Sequence, residues 1–186
     1  MFLRMALASG FLLTSLSFML SGCGGNGGSA PPETAQGVQG TNLPYFEALD
    51  ETGRQRKAGD FRGKLLVLYF YPKDGTPGCT KEACAFRDAW DEIQAAGATV
   101  VGISMDSVES HKKFKDEHQL PFTLLTDPEG RIASALGVEK NDKGLLKRTT
   151  FIVGRDNIVK KVFRDVDPAV HVKEVLQVIE GLKASK

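Results

Sequence analysis

The sequence predicts an α/β domain with a mixed central sheet flanked by helices. Three observations predict it. Leu65 to Tyr71 and Thr99 to Ser104 are apolar runs without alternation, the pattern of short strands buried on both faces. A segment with helical apolar spacing follows each run, and strand–helix alternation is the mark of a layered sheet. The chain then closes with two strand-like segments around a tight turn and a last amphipathic helix, which requires antiparallel neighbours in the same sheet.

In chain order, Tyr45 to Leu49 and Gln55 to Ala58 flank Asp50-Glu51-Thr52-Gly53, a turn signal between two strands. Lys64 to Tyr71 is the first buried strand, and the Gly- and Pro-rich stretch Pro72 to Gly78 is a loop. Thr80 to Ala96 reads as one helix, because Ala83, Phe86, Trp90 and Ile93 share a face and Gly97 ends it. Trp90 and the Phe residues at this spacing read as core. Thr99 to Ser104 is the second buried strand. Val108 to His118 is a charged helix with Phe114 inward, and Phe122 to Leu125 a short strand. Asp127-Pro128-Glu129-Gly130 is a turn and Arg131 to Leu136 a short helix. Thr149 to Val153 and Ile158 to Phe163 form a hairpin around Gly154-Arg155-Asp156-Asn157. His171 to Leu182 ends the domain with Val172, Val175, Leu176 and Ile179 on one face. A cysteine, Cys79, stands directly after a buried strand and its loop, at a helix start. That placement makes the thioredoxin-like fold the best match, with the folded domain expected over residues 41–186.

Two shorter segments precede it. Residues 1–22 carry one charge, Arg4, then a mostly apolar run and small residues, the layout of a secretory signal. Leu20-Ser21-Gly22-Cys23 resembles the lipobox of bacterial lipoproteins. That resemblance implies lipidation of Cys23 and a domain anchored to a membrane of the bacterial cell envelope, facing the periplasm or exterior. An ordinary cleaved signal or an uncleaved anchor is the alternative. Residues 23–40, rich in Gly with Ala30-Pro31-Pro32, have no apolar period and read as a flexible tether.

Composition excludes more than it assigns. With 24 basic and 23 acidic residues the net charge is +1, which offers no field for nucleic acid. Three cysteines are too few for a disulfide scaffold. His111, His118 and His171 share no ligand spacing, so they are read as solvated groups on charged helices, and no metal is expected.

The chemistry gathers at Cys79. Unpaired amides and the dipole at a helix N-terminus favour a thiolate, the form that attacks peroxides and becomes a sulfenic acid. Cys84 is positioned in sequence to condense with that sulfenic acid, but both residues fall on one predicted helix. An intact helix holds Cα atoms at this spacing roughly 8.6 Å apart. A disulfide needs about 4.4–6.8 Å. The segment from Gly78 to Cys84 is therefore expected to unwind when the bond forms. An inert structural bridge is the bland alternative, and an intact helix is a poor place for one.

The stretch from Tyr69 to Cys84, with its Pro-Lys-Asp-Gly-Thr-Pro-Gly-Cys core, closely resembles the active-site loop of the peroxiredoxins, in their bacterioferritin-comigratory or Q-type branch. The likeness extends to Gly102-Ile103-Ser104, Leu120 to Asp127 and Arg148 to Phe151. It implies a monomeric peroxidase that uses no bound cofactor and is recycled by a thioredoxin-like dithiol reductant. Its substrates would be hydrogen peroxide and organic hydroperoxides. Residue by residue, it implies that Cys79 is the peroxidatic and Cys84 the resolving cysteine. Thr76 would hydrogen-bond the thiolate and peroxide, Pro72 would shield the pocket, and Arg148 would stabilise the thiolate and orient the peroxide oxygens. Glu82 would support the network. A thiol–disulfide oxidoreductase normally separates its cysteines by two residues, whereas four intervene here. A redox sensor without turnover is the other alternative.

Overall fold

The computed structural model describes residues 37–184. The expected signal segment, Cys23 and the tether up to residue 36 lie outside the described residues. Residues 37–40, read above as the end of the tether, instead form a turn. Gly40 donates to the Val159 carbonyl at 2.8 Å and Val38 packs against the core, so the ordered domain begins slightly earlier than expected.

Seven strands form one sheet in the order β2-β1-β5-β4-β3-β6-β7. β1 (Glu47–Asp50) and β2 (Gln55–Lys57) are the first hairpin, closed where Gly53 takes a φ of 78° that a side chain would resist. β3 (Leu65–Phe70), β4 (Ala98–Ser104) and β5 (Thr123–Thr126) run parallel to one another. β6 (Thr149–Val153) lies antiparallel to β3 and forms the second hairpin with β7 (Val159–Arg164).

The expected covering on both faces is present. α1 (Pro77–Asp88), α2 (Trp90–Ala95), α3 (Val108–His118), α4 (Arg131–Ala135) and α5 (His171–Ala184) complete the element order. Alternation along β3 sends Leu66, Leu68 and Phe70 into a core with Phe61, Ile132 and Phe151. Leu65, Val67 and Tyr69 go to the opposite core with Phe86, Ile93, Phe114, Val175 and Ile179 from α1, α2, α3 and α5. Each fully buried Phe or Leu in these layers contributes about 1.5–3 kcal/mol of burial. This is the mixed α/β, thioredoxin-like architecture anticipated from the strand pattern.

Three expectations need correcting. The helix after the first buried strand starts at Pro77 rather than Thr80, because proline's fixed φ suits the first helical position. It is also interrupted at Ala89 (φ −91°, ψ 8°), although hydrogen bonds from Ala89 to Ala85 and from Ile93 to Ala89 carry across the break. His111 and His171, read as solvated, are fully buried. Each sits on the inward face of its helix with a ring nitrogen on an internal hydrogen-bond partner, Leu125 O for His111 and Thr150 Oγ1 for His171.

Candidate active site

The site lies where β3 hands over to α1. Tyr71 continues the ladder one residue past β3, donating to Ile103 O at 3.1 Å. The loop then turns at Gly75 (φ 67°), and Thr76 is the N-cap of α1. The Thr76 hydroxyl does not cap the helix. It donates back to the Lys73 carbonyl at 3.0 Å and leaves the first amides of α1 without a side-chain partner. Pro77 and Gly78 follow, so Cys79 is the third residue of the helix. Its side chain points into the core beside Ala83 and Phe86 and is 1% exposed. An electropositive helix mouth therefore surrounds a sulfur recessed below the surface.

Arg148 comes from the far side of the sheet register. Thr149 pairs with Phe70, which sets Arg148 level with Tyr71 at the end of the sheet from which the loop to α1 departs. Asp165 N–H donates to the Arg148 carbonyl at 3.0 Å and fixes its backbone. One guanidinium then bridges two groups on α1: Nη2 is 3.3 Å from Cys79 Sγ and Nη1 donates to Glu82 Oε2 at 2.6 Å. Glu82 lies one turn after Cys79 and is 1% exposed. Burial pushes its carboxyl up to about 7, against the opposing pull of Arg148. Burial also works against the charge of Arg148, but Cys79 and Glu82 outweigh it and raise its pKa further above the ordinary value, so the cation is secure.

Gly78 makes this approach possible. A Cβ at position 78 would come within 2.8 Å of Arg148 Nη2, so the guanidinium crosses the helix over a residue with no side chain. His171, from α5, packs edge-on against Phe86 and Phe163, with Nε2 2.8 Å from Thr150 Oγ1. Burial first, and then Arg148, push its pKa down to about 4, so it stays neutral beside the cation.

Of the residues singled out in the sequence, Cys79, Arg148 and Glu82 are in direct contact. Pro72 and Thr76 lie in the loop that leads into α1, with the Thr76 hydroxyl on Lys73 O. Cys84 is half-buried on the same helix, and both thiols are free. Sequence reasoning missed Gly78 and His171. The signal for His171 was its place on the face that also carries Val172 and Val175. Gly78 gave none, since its role depends on a side chain far away in the chain.

The match to known proteins is decisive. Residues 39–162 match the model of the AhpC/TSA family. The chain belongs to that family. It is 43% identical over 143 residues to a peroxiredoxin Bcp of Coxiella burnetii, covering 74% of this chain and 95% of that one. Against peroxiredoxin Bcp of Bacillus subtilis it is 41% identical over 149 residues, covering 77% and 95%. A bacterioferritin comigratory protein of Xanthomonas campestris, whose structures address alkyl peroxide reduction, superposes with a TM-score of 0.70 at 33% identity. That superposition covers 74% of this chain and 92% of that one. These relatives support the Q/Bcp branch of the peroxiredoxins, and with it a thiol-dependent peroxidase activity.

Proposed function

We propose that Cys79 is the sulfur that attacks peroxide and that Cys84 resolves the product. The observation that carries this is the single guanidinium of Arg148 set 3.3 Å from a recessed sulfur at an uncapped helix mouth. The Cys79 thiolate attacks one peroxide oxygen. The S–O bond forms, the O–O bond breaks, and the second oxygen leaves with the electron pair and takes a proton, giving water or an alcohol. Arg148 lies where it can stabilise charge on sulfur and on the departing oxygen. Thr76 and Pro72 form the upper wall. The Cys84 sulfur then displaces the sulfenic hydroxyl as water, closing a Cys79–Cys84 disulfide. A thioredoxin-like dithiol protein reduces that bond. Hydrogen peroxide and organic hydroperoxides are the substrates, in keeping with the alkyl peroxide reduction addressed in the Xanthomonas protein. The enzyme acts as a monomer.

Both cysteines lie on α1, so the disulfide requires the helix to open between them. Hydrogen exchange at amides 78–84 is expected to speed up in the oxidised protein, and equal protection in both redox states would contradict the scheme. In steady state with a thioredoxin system, the parent protein turns over. Cys84→Ser reacts once and accumulates Cys79 sulfenic acid, unless an external thiol resolves it. A parent protein that also stops after one equivalent is a sensor, not an enzyme.

We also propose that Cys23 is lipidated and tethers the domain to a cell-envelope membrane. Its support is the Leu20 to Cys23 pattern behind an apolar leader. Cys23→Ala is expected to move the protein from the membrane to the soluble fraction, and unchanged fractionation would remove the anchor from the scheme.

A further inference from the structure

Outside the Cys79–Arg148–Glu82 contact lies a second buried polar cluster, centred on Asp74. Asp74 stands in the middle of the loop between β3 and α1, two residues before Thr76. Its side chain is 6% exposed and receives three donors. Tyr71 donates to Oδ1 at 2.7 Å, Ser110 donates to Oδ2 at 2.8 Å, and His111 Nδ1 lies 2.9 Å from Oδ2. The Asp74 backbone is held as well, its N–H donating to Asp106 Oδ2 at 2.9 Å, and Ser104 donates to the same oxygen at 2.6 Å. The other ring nitrogen of His111, Nε2, sits 3.2 Å from Leu125 O at β5. The loop is thereby fastened by one residue to β3, to the segment after β4 and to the first turns of α3, and through His111 to β5.

Among the described residues no hydrogen bond joins this cluster to Cys79. The cluster costs desolvation of a carboxylate and an imidazole, and a loop needing only to connect β3 to α1 has no need of it. Burial raises the cost of charge on Asp74, yet the bond from His111, followed by those from Tyr71 and Ser110, holds its carboxyl below the ordinary value. No other residue between Tyr71 and Thr76 has comparable anchorage among the described residues. Among the described residues the side chain of Thr76 bonds only back to Lys73 inside the same loop, and its carbonyl accepts from Thr80 in α1, so Asp74 is what ties the loop before Thr76 to the rest of the domain.

We propose that Asp74 and His111 are positioning residues for peroxide: they hold the loop that leads into the N-cap of α1, and with it the helix mouth around Cys79, without themselves contacting substrate. The proposal rests on Cys79 being the attacking sulfur. It sets apart two properties of that sulfur. Reaction with peroxide needs the loop in place, because a displacement on the order of 1 Å can cost about 100-fold. Alkylation by iodoacetamide has to reach the same recessed sulfur but makes no use of donors placed for a peroxide.

The test uses the full chain and follows the peptide bearing Cys79 by mass spectrometry during reaction with hydrogen peroxide or with iodoacetamide. His111→Gln places its amide nitrogen near the Nε2 position and loses the bond to Asp74. His111→Asn places it near Nδ1 and keeps that bond. His111→Gln is expected to slow oxidation by roughly 10- to 100-fold while alkylation changes by less than about threefold, and His111→Asn to recover most of the oxidation rate. Ser110→Ala and Tyr71→Phe each remove one donor with little change of shape. They are expected to give smaller losses of the same selective kind, which keeps the test open if His111→Gln does not fold. Oxidation at the parent rate in His111→Gln, or in both Ser110→Ala and Tyr71→Phe should His111→Gln not fold, overturns the proposal. So does a parallel fall in oxidation and alkylation. If Cys79 of the parent protein resists peroxide altogether, the underlying assignment has failed instead.

Discussion

Cys79→Ser is expected to reduce peroxide consumption to background, a loss on the order of 10³-fold or more, as for removal of other catalytic nucleophiles. The reason is chemical and not structural. A serine hydroxyl in the same place is not ionised at neutral pH and does not attack an O–O bond, whereas a thiolate does. The fold should survive. The smaller side chain leaves a modest gap beside Ala83 and Phe86, and the buried hydroxyl gains a donor in Arg148 Nη2, which stands 3.3 Å from the sulfur. Without that donor an unsatisfied buried hydroxyl would cost about 1–3 kcal/mol. Thermal unfolding and peroxide turnover measured on one preparation check both halves. Turnover within tenfold of the parent protein would mean that Cys84 or another group attacks the peroxide.

How much of this was legible beforehand depended on whether the controlling contact was local. Leu65 to Tyr71 reads as a doubly buried strand because apolar side chains on both faces suit a central position, and β3 is buried along its whole length. Val108 to His118 carries its own start signal, since Ser107 accepts from the Ser110 amide, and α3 has the bounds expected of it. The break at Ala89 carries no such signal, for neither proline nor glycine marks it. The buried histidines were misread for a related reason. A polar residue on a charged helix is usually solvated, and only the partner across the core reveals otherwise: Asp74 and Leu125 O for His111, Thr150 for His171.

At the site the same division holds. Cys79 at a helix mouth is a local feature. Its contact with Arg148 spans 69 positions and depends on the β3–β6 register, so only family likeness pointed to it. Thr76 shows the opposite limit. Likeness assigned its hydroxyl to the sulfur, while the structure turns it to Lys73 O.

Arg148→Met is expected to slow the oxidation of Cys79 by roughly 10²- to 10³-fold, the scale seen when one preorganised donor is removed from an anionic transition state. Methionine retains much of the side-chain bulk and removes only the guanidinium. Breaking a buried ion pair usually destabilises by about 3–5 kcal/mol, because a charge is left stranded. Here the stranded group would be Glu82, whose carboxyl already lies at about 7 with Arg148 beside it. Without Arg148 it would rise further and hold its proton at neutral pH, so the loss of stability should fall below that range. The double variant Arg148→Met/Glu82→Gln separates the two effects: stability should return while peroxide reactivity stays low. Gly78→Ala approaches the same contact sterically. The new methyl would meet Nη2 at 2.8 Å, and a flexible side-chain end moves aside easily, so the fold is spared. Replacing glycine in this first turn costs the helix nothing and gains less than the roughly 1 kcal/mol of a helix interior. A protein at least as stable as its parent, yet slower with peroxide by an order of magnitude or more, is the expected result. Full activity in Gly78→Ala would show that the guanidinium need not lie against the sulfur, and Arg148 would then lose its place in the reaction.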